Sequence, residues 1–370
     1  MVKFNDFPQE VICAVLENLG KLSLTSTAIV ATWLQDPSER LIYRTVSFTF
    51  PRTRGNELDP LQVFLQTTSL SDRRARYVDS LDLREFRRGE KISVTTPSLE
   101  KAMKNMVNLK KLSIAGSTYI RHAHLESASF SLTHLLLNLS FPQSIFDEYE
   151  ILLPILKAHP ELKALSLQEA RLWTTKDDFS ALEEQESDAG DHPSAVLCPR
   201  LEYFESNLKS LTESILAGRF IKHLILDTQG HVHPDDKGQW GPPFTFPRYR
   251  HLETLVLLID MTPIPSDALP VLLAQHFTSL TRLNIHADMM VKVEDRPVVH
   301  NYTPDPLLLS LTQIQTLESL TLSAYGPWCT SPSEQEDMVR YLYKNLFKLK
   351  EAFVQSTSGH SHYGAKGELL

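Results

Sequence analysis

The stretch that decides the fold stands at residues 109–114 and reads Leu109-Lys110-Lys111-Leu112-Ser113-Ile114. Apolar residues occupy its first, fourth and sixth positions. In a short strand successive side chains point to opposite faces, so the fourth and sixth positions share one face and the fifth lies on the other. We therefore predict a strand with one face in a core, which the first position reaches where the strand begins.

This six-residue frame recurs along most of the chain, which makes internal repetition the main feature of the sequence. Successive fourth positions lie 20 to 39 residues apart. Helical patterns fill intervals at 98–106, 145–158, 208–217, 266–276, 305–314 and 333–346. The clear copies of the frame begin at Val78, Leu109, Leu132, Leu162, Ile221, Leu252, Leu280 and Leu317, a weaker copy begins at Leu201, and a degenerate last copy begins at Leu349.

Strands and helices in alternation at this period are typical of the leucine-rich repeat, a unit that buries its core only by stacking on its neighbours. The predicted fold class is α/β: a short N-terminal helical segment, then an irregular leucine-rich-repeat solenoid. Residues 46–354 are expected to form one curved parallel sheet with helices or extended segments on one side. A single continuous core is expected to bury Leu112, Leu135, Leu165, Leu224, Leu255, Leu283 and Leu320.

The first fifty residues carry a different pattern, in which apolar residues recur at helical spacing. Phe7-Pro8 opens the first helix, because the fixed φ of proline suits a first turn, and Gly20 is a candidate C-cap. A second helix is predicted to stop at Asp36-Pro37. Helices this short and apolar cannot bury all their faces on one another, so part of their surface must be left for a partner or the next domain. Their stripes are Val11, Ile12, Val15, Leu16 and Leu19, then Leu24, Thr27, Val30, Trp33 and Leu34.

This segment, residues 5–50, resembles the F-box, a motif that docks its bearer onto a Skp-type adaptor in cullin–RING ubiquitin ligases. It departs from the usual pattern where Ala31-Thr32 replace Cys-Arg and where Trp33 comes one residue early. The alternative is a small helical cap on a larger fold. The resemblance implies adaptor binding by Phe7, Pro8, Glu10, Val11, Ile12, Val15, Leu16, Leu19, Leu24, Val30 and Trp33.

Composition narrows the class of protein. The 370 residues are 42% hydrophobic and carry a formal net charge of -8, so the basic footprint of general nucleic-acid binding is absent. Three widely separated cysteines fit a reducing compartment. No apolar run approaches the ~20 residues of a membrane span, and no secretory signal is visible. We therefore expect a cytoplasmic or nuclear protein that binds neither membranes nor nucleic acid.

The pattern divides the chain into an F-box-like helical domain at 1–50 and a leucine-rich-repeat-like domain at 51–370. Residues 171–200 are rich in Asp and Glu, and residues 229–248 are rich in Gly and Pro, so both are predicted to be long loops. The tail, 356–370, has little to pack against and is predicted to be frayed.

His231-Val232-His233 in the second loop is the best candidate for a zinc site, because two imidazoles two residues apart on a strand point the same way. Asp235-Asp236 follows, but the pattern fixes no third ligand nearby, so a solvated loop is the competing interpretation. No phosphate-binding loop, nucleophile elbow or dinucleotide fingerprint is present. Cys13 lies on an apolar helix, which favours a core position. We predict no catalytic residue, no metal and no cofactor.

Basic and acidic residues alternate between residues 72 and 91. The arginines there could form an anion-binding patch. Carboxylates interrupt them throughout, which favours a solvated face.

The docking motif and the repeats together resemble F-box leucine-rich-repeat proteins, with the organisation of the fungal families. That resemblance implies a substrate receptor, in which the helices bind the adaptor and cullin complex and the repeats select a protein substrate. Ligation chemistry would belong to other subunits, and this chain would contribute proximity. The alternatives are a non-catalytic scaffold that acts outside a ligase, and an enzyme built around residues 229–248.

The third, fifth and seventh positions of each frame should form the sheet face opposite the buried leucines, which we call the second face. Apolar residues there, ringed by aromatic and basic ones, are typical of a partner-binding centre with a polar rim. The alternative is that the two predicted loops fold over them. The candidate substrate-binding residues are Leu136, Tyr203, His223, Ile225, Val256, Leu258, Arg282 and His286.

Overall fold

The computed structural model describes residues 7–50, 60–85, 96–116, 125, 128–139, 154–169, 198–206, 220–227, 251–260, 277, 279–288, 309, 311–324, 332–356 and 359–363. The chain divides into two compact units, Met1–Arg200 and Leu201–Leu370. Most of the first predicted loop, all of the second with its histidine pair, and the helical intervals 208–217 and 266–276 lie outside the described residues.

Helices occupy the start of the first unit and the spaces between its strands. Two of the predicted helical intervals, 98–106 and 333–346, are helices in the structure. Within the described ranges, no helix has both the length and the apolar character needed to cross a bilayer. The helices described from end to end are α1 (Gln9–Glu17), α2 (Lys21–Val30), α3 (Thr32–Arg44), α4 (Pro60–Leu70), α5 (Asp72–Ala75) and α6 (Thr96–Asn105) in the first unit, and α7 (Pro332–Asn345) in the second; residues 154–158 are also helical.

The helical segment differs from the prediction at two turns. Gly20 is the N-cap of α2, not the C-cap of α1, and its backbone is extended rather than left-handed. The predicted second helix is two helices, because Ala31 is extended and separates α2 from α3. Helix α3 then continues through Pro37. Ser38 and Glu39 beyond the proline are buried, and this packing offsets the hydrogen bond that proline cannot donate.

The strands form the predicted parallel arrangement, and neighbours in space are neighbours in sequence. In the first unit the parallel strands are β1 (Thr45–Phe50), β2 (Ser80–Glu85), β3 (Lys111–Gly116), β4 (His134–Leu139) and β5 (Ala164–Glu169). In the second they are β6 (Tyr203–Ser206), β7 (His223–Asp227), β8 (Thr254–Asp260), β9 (Arg282–Asp288), β10 (Ser319–Ala324) and β11 (Glu351–Ser356), and β12 (Gly359–Tyr363) is added antiparallel to β11.

A main-chain pattern before strands β3–β5 and β7–β11 holds their frames in register. The carbonyl of Asp79, a second-position residue, accepts hydrogen bonds from the N–H groups of Lys110 (2.9 Å) and Lys111 (3.0 Å) in the next repeat. Two donors are thereby satisfied by one acceptor at the entry to β3. The same pair of bonds is accepted by the carbonyls of Lys110, Thr133, Glu202, Lys222, Glu253, Thr281 and Glu318.

The fourth positions are buried as predicted, and within each unit they pair directly across adjacent strands. Leu112 pairs with Leu135, and Leu255 pairs with Leu283. Burying one leucine side chain contributes about 1.5–3 kcal/mol, so these rows are the main source of stability. The predicted core leucines, each 2% exposed or less, are Leu112, Leu135, Leu165, Leu224, Leu255, Leu283 and Leu320.

The described part of the C-terminal tail departs from the prediction of fraying. Residues 359–363 form β12, whose register with β11 places Tyr363 opposite Ala352 and Gly359 opposite Ser356. The physical reason is that the last parallel strand presents a row of unpaired main-chain groups, and a short antiparallel return satisfies them. No apolar periodicity in the tail signals such a strand, because its contribution is made by the main chain.

His159 is a fully buried polar residue that ties separate segments of the first unit together. Its Nε2–H donates to the carbonyl of Leu125 (3.1 Å), and its Nδ1 accepts from the N–H of Leu132 (3.5 Å). The ring stacks on Phe130, with centroids 5.8 Å apart. Burial lowers the pKa of His159, and the hydrogen bond to Leu125 opposes that effect only in part.

The free energy of unfolding is therefore expected to fall as the pH drops below about 6.5, the pKa of a histidine in an unfolded chain. The unfolded chain binds a proton there that folded His159 does not accept, so protonation favours unfolding until the pH passes below the folded pKa. Urea unfolding at successive pH values measures this loss. In His159→Gln, which keeps an N–H for Leu125, the loss should be smaller; an unchanged pH dependence would contradict the assignment.

Candidate protein-interaction surfaces

Helices α1–α3 have a small core of their own. Ile12, Leu16, Leu24 and Leu34 are buried together. Partly buried side chains complete this core, namely Ala31, Leu41 and Ile42. Three of the eleven residues predicted to bind an adaptor, Ile12, Leu16 and Leu24, thus stabilise the helices themselves and are not available to a partner in this arrangement.

The remaining predicted residues lie on the surface. Val11 and Val15 are each 44% exposed and Leu19 is 37% exposed. Their spacing of four residues places them in one stripe beside the buried Ile12 and Leu16. Pro8 precedes α1 and Glu10 lies in its first turn, both exposed. The other exposed members of the predicted set are Phe7, Val30 and Trp33.

Two further apolar residues on α2 were missed in the sequence analysis. Leu22 is 87% exposed and Ile29 is 80% exposed. They fall outside the stripe that contains Leu24, so the periodicity gave them no role. The available signal was their spacing of seven residues, two helical turns, in a helix whose sole charged residue is Lys21. We call Val11, Val15, Leu19, Leu22, Ile29, Val30 and Trp33 the exposed apolar set.

On the second face of the first unit, the predicted residue Leu136 is half-buried on β4. Its neighbours in register are Ser113 on β3 and Ser166 on β5, both small and polar. His134, two residues earlier on β4, is also half-buried, and burial followed by the charges of Lys111 and Lys163 lowers its pKa. This part of the second face therefore presents one apolar side chain among small polar ones.

On the second face of the second unit, three predicted apolar residues are neighbours. Ile225 on β7 pairs with Val256 on β8, and Leu258 follows two residues later on the same face. All three are half-buried, which lies between an open surface and one that the predicted loops cover completely. His286 pairs with Leu258, and burial lowers the pKa of this histidine.

Three of the four residues predicted to surround that patch lie in the row of third positions, and the fourth is His286. Tyr203, His223 and Arg282 occupy this row, and Arg282 is the most exposed of the three. The hydroxyl of Tyr203 donates to Glu205 (3.0 Å), and burial, with the Glu205 charge, raises the pKa of Tyr203. The structure therefore brings together seven of the eight predicted substrate-binding residues on the second face of one unit.

A cleft of about 530 Å³ lies between α1, α3 and the turn that leads into β2. Cys13, Arg40 and Arg44 line one side, and Tyr77 and Asp79 line the other. Cys13 is half-buried here rather than in the core. Positive and negative groups are balanced around the cleft, so its charge favours neither a cationic nor an anionic ligand. In the part of the chain that is described, no group of three or more His, Cys, Asp or Glu side chains could hold a metal.

No protein-family model matches the sequence, and no curated protein matches it. Among solved structures, the chain is similar to the leucine-rich repeat-containing protein LegL7 from Legionella pneumophila, with 16% identity over 85% of this chain and 92% of that one, and a TM-score of 0.41. The fold is assigned from the parallel strands, their register and their buried leucines. The chain has a leucine-rich-repeat fold.

Proposed function

We propose that this leucine-rich-repeat chain is the substrate-recognition subunit of an SCF-type cullin–RING ubiquitin ligase. Helices α1–α3 bind a Skp-type adaptor, and the second face of the repeats binds a protein substrate. The observation that carries the proposal is the stripe of Val11, Val15 and Leu19, which the helices' own core leaves unused. The resemblance of residues 5–50 to the F-box gives the class of partner.

An apolar partner surface would gain affinity by covering this stripe. Burial of apolar surface contributes about 25 cal/mol per Å², and clusters of exposed aromatic and aliphatic side chains mark interaction sites. For the exposed apolar set, attraction to the adaptor comes from burial, whereas Glu10, another exposed member of the predicted adaptor-binding residues, is charged. Trp33, 43% exposed, is the residue type most enriched among interface hot spots.

The repeat fold supports a role in protein interaction. The side chains on its second face lie outside the leucine core, and in the second unit they include Ile225, Val256 and Leu258. We propose that the chain is not itself an enzyme and that it raises the local concentration of substrate at the ligase. Such a complex would act in the cytoplasm or the nucleus.

Co-expression with a Skp-type adaptor tests this function. We expect the two chains to co-purify through affinity capture and gel filtration as a complex with equal numbers of each. Supply of the cullin and RING subunits should then give ubiquitylation of a captured substrate. Purification of the chain without adaptor, at the same expression level, would contradict the proposal.

The second candidate function is a scaffold that acts outside a ubiquitin ligase. It is favoured by the exposure of Leu22 and Ile29, which extend the apolar surface of α2 beyond the F-box pattern. A scaffold of this kind would use the exposed apolar set on a different partner. It is distinguished by stable capture of a protein through α1–α3 in the absence of adaptor binding.

A further inference from the structure

Helix α3 runs into the first strand without a linker. The helix ends at Arg44 and β1 begins at Thr45. Lys21 at the start of α2 donates from Nζ to the carbonyl of Thr45 (2.7 Å), so a second helix also contacts the strand's first residue. The helical segment is therefore joined directly to β1, which pairs with β2 in the sheet of the repeats.

Glu39 on α3 lies at the centre of the contact between the helical segment and the repeats. Its carboxylate, 8% exposed, forms ion pairs with Arg73 and Arg74, both on α5, and the Arg74 contact measures 2.8 Å. Gln35 adds a hydrogen bond of 3.4 Å. Burial alone would raise the pKa of Glu39, but Arg74, Gln35 and Arg73 together hold it below its usual value. A buried carboxylate that meets two guanidinium groups stays charged and holds both.

Weaker contacts surround Glu39 and join the same elements. Asp36, one turn earlier on α3, accepts a hydrogen bond from Tyr77 and pairs with Arg73 at 3.7 Å. The Arg74 guanidinium lies over the ring of Tyr43, 6.0 Å from its centroid. Three side chains of α3, those of Asp36, Glu39 and Tyr43, thus contact α5 or the turn that follows it. We call the group Asp36, Glu39, Arg73, Arg74 and Tyr77 the α3–α5 clamp.

We propose that the α3–α5 clamp joins helices α1–α3 and strands β1 and β2 into one rigid body, so that the helical segment is not a separable module. The clamp fixes the direction in which the exposed apolar set faces relative to the sheet of the first unit. The cleft of about 530 Å³ lies beside the clamp, and Asp36 and Tyr77 line part of it. This holds whatever partner the helices bind.

Distances between two spin labels test the clamp in the full chain. The labels are attached at Thr25→Cys on α2 and Lys163→Cys before β5, both exposed positions. Cys13 and Cys329 are changed to Ala, and the buried Cys198 is retained. We expect one narrow distance distribution in the parent chain. Glu39→Gln, which removes the charge at constant shape, should broaden it or add a second population.

The control is Glu100→Gln, which removes an ion pair of similar length with Lys104 on the surface of α6. This variant should keep the narrow distribution. Arg74→Lys, which keeps the charge but loses the planar fork, should also broaden the distribution and serves if Glu39→Gln does not fold. A broad distribution in the parent chain, or a narrow one in a folded clamp variant, would overturn the proposal. Neither result depends on whether an adaptor binds.

Discussion

Leu135→Ala is expected to lower the free energy of unfolding by about 2–5 kcal/mol, the cost of removing a fully buried leucine and leaving a cavity. Leu135 is 2% exposed on β4 and pairs with Leu112 and Leu165 on the strands at either side. Loss of its side chain removes contacts in three repeats at once. Denaturant unfolding followed by circular dichroism measures the change.

The matched control is the next residue. Leu136 has the same side chain on the same strand but lies half-buried on the second face. Leu136→Ala should cost well under half as much, because less apolar surface is lost and water can fill the space. Equal losses for the two variants would show that β4 is buried on both faces and that the assignment of core and second face is wrong.

Val15→Asp is expected to abolish co-purification with a Skp-type adaptor while the chain stays folded. Val15 is 44% exposed, so the folded chain tolerates a charge there, whereas a carboxylate buried under a partner is costly. An interface residue of this kind is worth about 2 kcal/mol or more, roughly 30-fold in affinity. Affinity capture, with circular dichroism of the free chain, measures both effects.

Val63→Asp provides the control for that variant. Val63 lies on α4 of the same unit and is 43% exposed, so residue type, substitution and exposure match. It lies outside α1–α3 and should leave adaptor capture unchanged. Leu16, another member of the predicted adaptor-binding set, is unsuitable for this test because it is 2% exposed. A charge there would disrupt the helical core and remove binding for a trivial reason.

The sequence predicted the repeat fold because apolar positions and strand geometry share one period. Each frame places its fourth residue on the core face whatever the length of the connection, so irregular spacing did not obscure Leu224 or Leu320. The strand β12 was not predicted, because an edge is closed by main-chain hydrogen bonds that leave no mark on side-chain pattern. The break at Ala31 was missed because the apolar stripe continues in phase across it.

The α3–α5 clamp is a further feature that the sequence did not predict. Arg73 and Arg74 were interpreted as part of a solvated face, since carboxylates close in sequence interrupt that run. Their partner, Glu39, stands 34 and 35 residues earlier, and no local pattern pairs residues at that distance. The predicted adaptor-binding residues fall into a buried group and an exposed group, and the sequence did not separate them for a related reason. A single helical stripe in Val11–Leu19 contains both the core and the surface residues, and only packing against α2 and α3 separates them.

Titration calorimetry of the purified chain with a purified Skp-type adaptor tests the proposed function most directly. The account predicts a saturable complex of one chain with one adaptor, with an affinity near or below about 1 µM. The absence of a complex at about 100 µM of each protein, about a hundredfold above the predicted dissociation constant, would contradict the account.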